Sequence, residues 1–144
     1  MATYVLGMNA GLYQGAAGST SPSTMSEVDN VRDVTLSMEA GEADITTRGN
    51  NGWRATAPTL RECTVEFQMV WKPGDIVFEA IKTAFLTAGT VALAVLDQKV
   101  GITGAQGPLG DFSITNFSRN EALEEAIVAD VTAKLAVFVE WHEV

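Results

Sequence analysis

The chain has 144 residues, 47% hydrophobic and 19% charged, the balance of one folded soluble domain with room for a real core. Eighteen acidic against nine basic side chains leave a net charge of −9, which disfavours nucleic-acid binding by a basic patch. The single cysteine, Cys63, excludes an internal disulfide, and no apolar run approaches the roughly 20 residues that a membrane helix needs.

Thr3 to Met8 ("TYVLGM") reads as a short strand, and this start has neither a basic region nor a long apolar run. The expectation is a protein made in a reducing cytoplasm. Residues 10–28 are rich in Gly, Ala, Ser and Thr and follow neither the helical nor the strand period, so they read as a long loop or arm. Leu12 and Tyr13 lie inside it, unusual residues for a linker.

"VRDVTLSMEAGEADITTR" reads as a hairpin. Val34, Leu36 and Met38 share one face, Glu39 to Gly41 form the turn, and Ala43, Ile45 and Thr47 return. That reading puts Glu42, Asp44, Thr46 and Arg48 on the opposite, polar face. The turn "RGNNGWRA" follows, with Trp53 between Arg48 and Arg54. From Cys63 the apolar positions are Cys63, Val65, Phe67, Met69 and Trp71, alternating with Thr64, Glu66 and Gln68; strict period two predicts a strand with one buried face.

One helix is predicted in "KPGDIVFEAIKTAFLTAGT". Asp75 is placed to cap its start, Gly89 to stop it, and Ile76, Ala80, Ile81, Ala84 and Phe85 form its apolar stripe. "TVALAVLD" is apolar on both faces and predicts a covered strand. "GITGAQGPLG" reads as a glycine-rich turn before the strand "DFSITNFS". In "IVADVTAKLAVFVEWHEV", Ile127, Ala129, Val131, Ala133 and Leu135 alternate with Val128, Asp130, Thr132 and Lys134. The sum is about seven strands and one helix, without an internal repeat or a dividing linker. The expected fold is mainly β, a sandwich or barrel of two sheets with one flanking helix, in a single domain spanning 1–144.

No constellation for chemistry emerges. His142 stands alone near the end, Cys63 shares the apolar face of its strand, and the Gly101, Gly104, Gly107 spacing lacks the Lys-Ser or Lys-Thr and the helix of a phosphate loop. Glu124 and Glu125 are adjacent, which in a strand would turn them to opposite faces. The expectation is a protein that is not an enzyme and carries no cofactor and no metal. Trp53 with its two arginines suits an interface anchor, the plain alternative being a tryptophan folded back over the sheet edge.

"NVRDVTLSMEAGEADITTRGNNGWRATAPTLRECTVEFQMVW", the helix led by "FEAIKTAF" and "GPLGDFSITNFSRNEALEEAIVADVTAKLA" resemble the tail tube proteins of long-tailed bacteriophages over roughly residues 30 to 136. "ADITTRGNNGWRAT" and "TNFSRNEALEEA" carry the likeness most specifically. The resemblance implies a tail-tube fold and hexameric rings stacked head to tail, with four strands per subunit closing into one barrel of twenty-four. It implies a virion protein that conducts DNA, with a tape-measure protein and baseplate or tail-tip proteins as partners. Leu12, Tyr13, Arg48, Trp53, Arg54 and Arg119 are then candidate subunit contacts. Glu42, Asp44, Glu66, Gln68, Asp130 and Thr132 are candidates for the bore. A type VI secretion-like tube protein and a β-sandwich binding module, such as a glycan-binding decoration domain, are the alternatives.

Overall fold

The computed structural model describes residues 4–143. In chain order it contains β1 (Gly11–Gly15), β2 (Ser26–Glu27), β3 (Val31–Asp44), β4 (Thr56–Val70), helix α1 (Ile76–Leu86), β5 (Thr90–Leu96), β6 (Gln106–Asn120) and β7 (Val128–Glu143). All seven strands join in one sheet, ordered β2-β1-β5-β6-β7-β4-β3, and every neighbouring pair is antiparallel.

The two sheets expected from the sequence are therefore one continuous sheet. It is folded over a shared core, because Leu12, Leu93 and Phe112 belong to the same buried cluster as Val65, Met69 and Val131. The long strands β6 and β7 serve both halves. Their register shifts at Leu109/Gly110, Asp111/Phe112 and Ile114/Asn116, and such bulges bend a strand pair.

The alternation read in the sequence holds in β4, where Cys63, Val65, Phe67 and Met69 are all buried. The apolar run of β5 is covered on both faces, with Val91 to Ala94 and Leu96 buried. Asp75 caps α1 as expected, its carboxylate accepting from the Phe78 N–H at 3.3 Å.

Several expectations are corrected. Tyr4 to Leu6 form no strand and Gly7–Asn9 is a single 3-10 turn; Thr3 lies outside the described residues. The supposed arm contains β1, paired with β5 from Gly11↔Leu96 to Gly15↔Ala92, and only the stretch between β1 and β2 is irregular. Strand β3 runs straight through Glu39–Gly41 without turning. The actual connection lies between Asp44 and Thr56, and Gly41 marks a register shift where an added Cβ would come within 2.5 Å of Thr59 Oγ1.

The stripe of α1 is rotated from the one expected: Val77, Phe78, Ile81 and Ala84 are buried, while Ile76 is 80% exposed. Ala88, not Gly89, takes the left-handed position at its end (φ 57°). Gly89 N–H then bonds Ala84 O at 2.9 Å and Ala88 N–H bonds Phe85 O at 3.4 Å, a Schellman closure. The "GPLG" segment is strand rather than turn, because β6 begins at Gln106.

Candidate functional site

Strands β6, β7, β4 and β3 form a four-stranded unit with one wet face. Register places Asn116, Thr132, Glu66 and Thr35 in one row across it. Ser113, Lys134, Thr64 and Ser37 make the next row, followed by Glu62 opposite Glu39. On the other side Ser118, Asp130 and Gln68 align, and Gln68 Nε2 donates to Asp130 Oδ1 at 3.3 Å. Asp33, set in the bulge between Val31 and Val34, borders the same surface beside Glu66 and Asp130. Five carboxylates (Asp33, Glu39, Glu62, Glu66 and Asp130) thus share this face with one ammonium, Lys134. Glu39 directly opposite Glu62 is a like-charge pair, which opposes folding rather than favouring it.

The reverse face of the unit is dry where the helix covers it. Trp71 packs edge-on against Phe78 at 4.8 Å and Phe117 at 6.0 Å, and Phe85 stacks on Phe117 at 6.2 Å. Cys63 lies on this side, where burial pushes its thiol up and disfavours the thiolate that nucleophilic chemistry needs. Among the described residues no group of three His, Cys, Asp or Glu side chains is arranged to hold a metal ion. Among the described residues no helix is long and apolar enough to cross a membrane.

The unit has two open backbone edges. Strand β3 ends the sheet order, so its outer edge has no strand partner among the described residues. At the other side β5 pairs with β6 only from Leu109 to Ser113, leaving the edge from Ile114 to Asn120 open. An unpaired edge is a template for another chain.

Beyond Cys63, β3 and β4 leave the rest of the sheet. The β4–β7 pairing stops at Thr64↔Lys134, while β3–β4 pairing continues to Asp44↔Thr56. The result is a projecting two-stranded hairpin, with Leu60 85% exposed along it and Trp53 76% exposed at its tip. The tip is built rather than loose. Asn51 (φ 52°) and Gly52 (φ 82°) supply the left-handed turn, and Asn50 Nδ2 donates to Trp53 O at 3.0 Å. Thr46 Oγ1 accepts from Ala55 N–H at 2.9 Å, and Asp44 Oδ1 accepts from Thr46 N–H at 2.9 Å.

The residues singled out in the sequence divide accordingly. Glu66, Gln68, Asp130 and Thr132 come together on the wet face. Glu42 and Asp44 do not; they stand beyond the register shift, on the projecting hairpin, because β3 never turns at Gly41. Leu12 and Tyr13 are 2% and 4% exposed and belong to the chain's own core, with Tyr13 Oη accepting from Val100 N–H at 3.0 Å. Arg48, Trp53 and Arg54 share the exposed tip. Arg119 lies at the other end, its guanidinium 5.0 Å from the Trp71 ring and its Nε 2.9 Å from Glu121. Sequence reasoning missed Thr35, Ser37 and Glu39, the alternates of Val34, Leu36 and Met38 on β3, and Glu62, which carrying the β4 alternation back past Cys63 would have found. It also missed Leu123, 99% exposed in the loop between β6 and β7.

No protein-family model matches this sequence, and the curated proteins offer no significant match. Solved structures do. The tail of an empty gene transfer agent particle, determined with C6 symmetry, superimposes with a TM-score of 0.75 at 17% identity, covering 96% of this chain and 98% of that one. A chain from the virion of a native gene transfer agent particle gives 0.68 at 17% identity, over 92% and 97% of the two chains. The SPP1 tail tube gives 0.74 at 14% identity, over 98% and 81%. The likeness is end to end and is one of fold: this chain has the fold of phage-type tail tubes.

Proposed function

We propose that this protein is the structural subunit of a phage-type tail tube, six copies closing into a ring and rings stacking into a hollow cylinder. One observation carries the reading: a four-stranded antiparallel unit, wet on one face and open at both edges. In an even-numbered antiparallel unit the two outer strands run in opposite directions. A rotation that brings β3 of one copy beside the end of β6 of the next therefore joins them antiparallel, the pairing found everywhere else in the sheet. Closing the ring removes both open edges at once.

Six such units give twenty-four strands. At about 4.8 Å between strands and a tilt near 45°, the backbone barrel is roughly 50 Å across. Side chains narrow this to a bore of about 40 Å, ample for a duplex about 20 Å wide. The wet face would line it, with Glu66, Gln68, Asp130 and Thr132 among its residues. An acidic wall gives a passing duplex no counterion-release sites to bind, so DNA stays mobile. The protein works by shape and charge, without a catalytic role. It is made in the host cytoplasm, resides in the virion tail, and is assembled with a tape-measure protein and baseplate or tail-tip proteins.

Negative-stain microscopy of the purified protein at rising concentration tests this reading. Rings or tubes with sixfold symmetry are expected; a uniform monomer at every concentration would sink it.

A further inference from the structure

The two ends of the four-stranded unit are chemically opposite. The hairpin tip and the loop between β6 and β7 lie at opposite ends of β4. Thr56 opens that strand next to the tip, and at its far end Trp71 N–H bonds Ile127 O at 2.8 Å. Fifteen residues of strand put about 45 Å between them at roughly 3.3 Å per residue.

The tip, "ITTRGNNGWRA" from Ile45 to Ala55, contains Arg48 and Arg54 and is flanked by a single acid, Asp44, whose carboxylate accepts from Thr46 N–H. Neither arginine has an ion-pair partner among the described residues. The opposite loop, "NEALEEAI" from Asn120 to Ile127, contains Glu121, Glu124 and Glu125 and no base. Arg119 engages Glu121, but Glu124 and Glu125 have no ion-pair partner among the described residues. Lys72, next to Trp71 at this end, pairs with Asp29 at 3.7 Å and Asp75 at 3.8 Å. Each end also displays exposed apolar side chains, Trp53 with Ile45 in the tip and Leu123 in the loop.

We infer that the Arg48, Trp53, Arg54 tip of one subunit docks on the Glu121 to Glu125 loop of a second copy in the next ring. The inference rests on the tube reading and names the receiving surface. Opposite charge at opposite ends of one chain is satisfied by head-to-tail stacking, whereas head-to-head contact would set arginines against arginines. Trp53 supplies an anchor over Leu123, and the hydrogen-bonded turn keeps it pre-organised.

The charges can be exchanged. Arg48→Glu with Arg54→Glu should leave rings intact but reduce tube yield at least about tenfold, and Glu124→Arg with Glu125→Arg should do the same. Combining all four substitutions should restore tubes to within about twofold of wild type, since the complementarity returns with its sign reversed. All four positions are exposed, so the urea midpoint of the subunit checks that folding is unchanged. Rings from every variant without rescue in the combined one would overturn the docking inference and leave the ring reading standing. No rings even from the wild type would sink both.

Discussion

The two halves of the sheet solve different problems. Strands β1, β5 and the first half of β6 are close-packed, with Leu12, Ala92, Leu93, Ala94 and Leu109 at 2% exposure or less. Strands β3, β4, β7 and the rest of β6 are long, wet on one face, and end in a hairpin that touches little else in the subunit. The first half folds the chain; in the proposed tube, the second would present it to neighbouring copies. Substitutions in the first should appear as lost stability of the free subunit; substitutions in the second should appear chiefly as lost assembly.

The largest effect that would sharpen this contrast is expected at Gly107. An added Cβ there would come within 1.6 Å of Val95 O, a backbone atom on the neighbouring strand that cannot rotate away. Gly107→Ala should cost roughly 3 kcal/mol or more and lower the urea midpoint of the subunit sharply. A normal midpoint would show that the first half is looser than its packing indicates.

Next in size is a matched pair of leucines. Leu12→Ala, in β1, should cost about 3 kcal/mol through lost burial and a residual cavity. Leu60→Ala, on the projecting hairpin, should stay within about 0.5 kcal/mol in the free subunit. Equal losses at the two sites would erase the distinction between the halves.

The same contrast explains what could be read from the sequence. A strand with one wet face writes itself as alternation, so β4 was legible from Cys63 onward, and so was the inward and outward order of β7 up to Lys134. Continuous apolar residues marked β5. The close-packed half was harder, because close approach of backbones demands glycine and alanine, which read as loop. "QGPLG" at the start of β6 was hidden for that reason, and "GLYQG" in β1 because its glycines make room for the Tyr13 and Met25 side chains. Gly110 belongs with them, since a Cβ there would come within 2.5 Å of Val137 O.

The candidate site was partly legible. Trp53 and its arginines stood out as a surplus on a turn. The wet face was half found, because Gly41 looked like a turn residue when it is a strand residue at a bulge. Leu123 gave no signal, since one leucine among glutamates fits a helix as well as a loop.

Helix α1 packs on β5 and β6 and so bridges the halves. Asp75→Ala removes the cap on the Phe78 N–H and should cost about 1 kcal/mol, measured by urea unfolding of the free subunit. Asp75→Asn should recover most of it, since the amide oxygen can accept the same bond. Stability unaffected by either change would place the start of the helix outside the folding half.

The smallest effect concerns acid at the hairpin tip. Hydrogen bonds from the Thr46 side chain and then its backbone N–H hold the Asp44 carboxyl below its ordinary 3.8. A carboxylate with a depressed folded value contributes stability that is fully present above 3.8. That contribution is lost as the pH falls through the lower folded value, because the proton removes the acceptor that Thr46 needs. The group is fully exposed, so the loss is local and small. The Thr46 amide resonance should therefore titrate below the ordinary Asp value, while amides of Val65 and Leu93 in the core should not follow it. Asp44→Asn should abolish the titration and leave the subunit's stability almost unchanged. A Thr46 amide that is insensitive to acid would show that the tip is ordered without Asp44. Core amides that move with it would show that the hairpin and the folded half are one cooperative unit, and the division between the halves would fail.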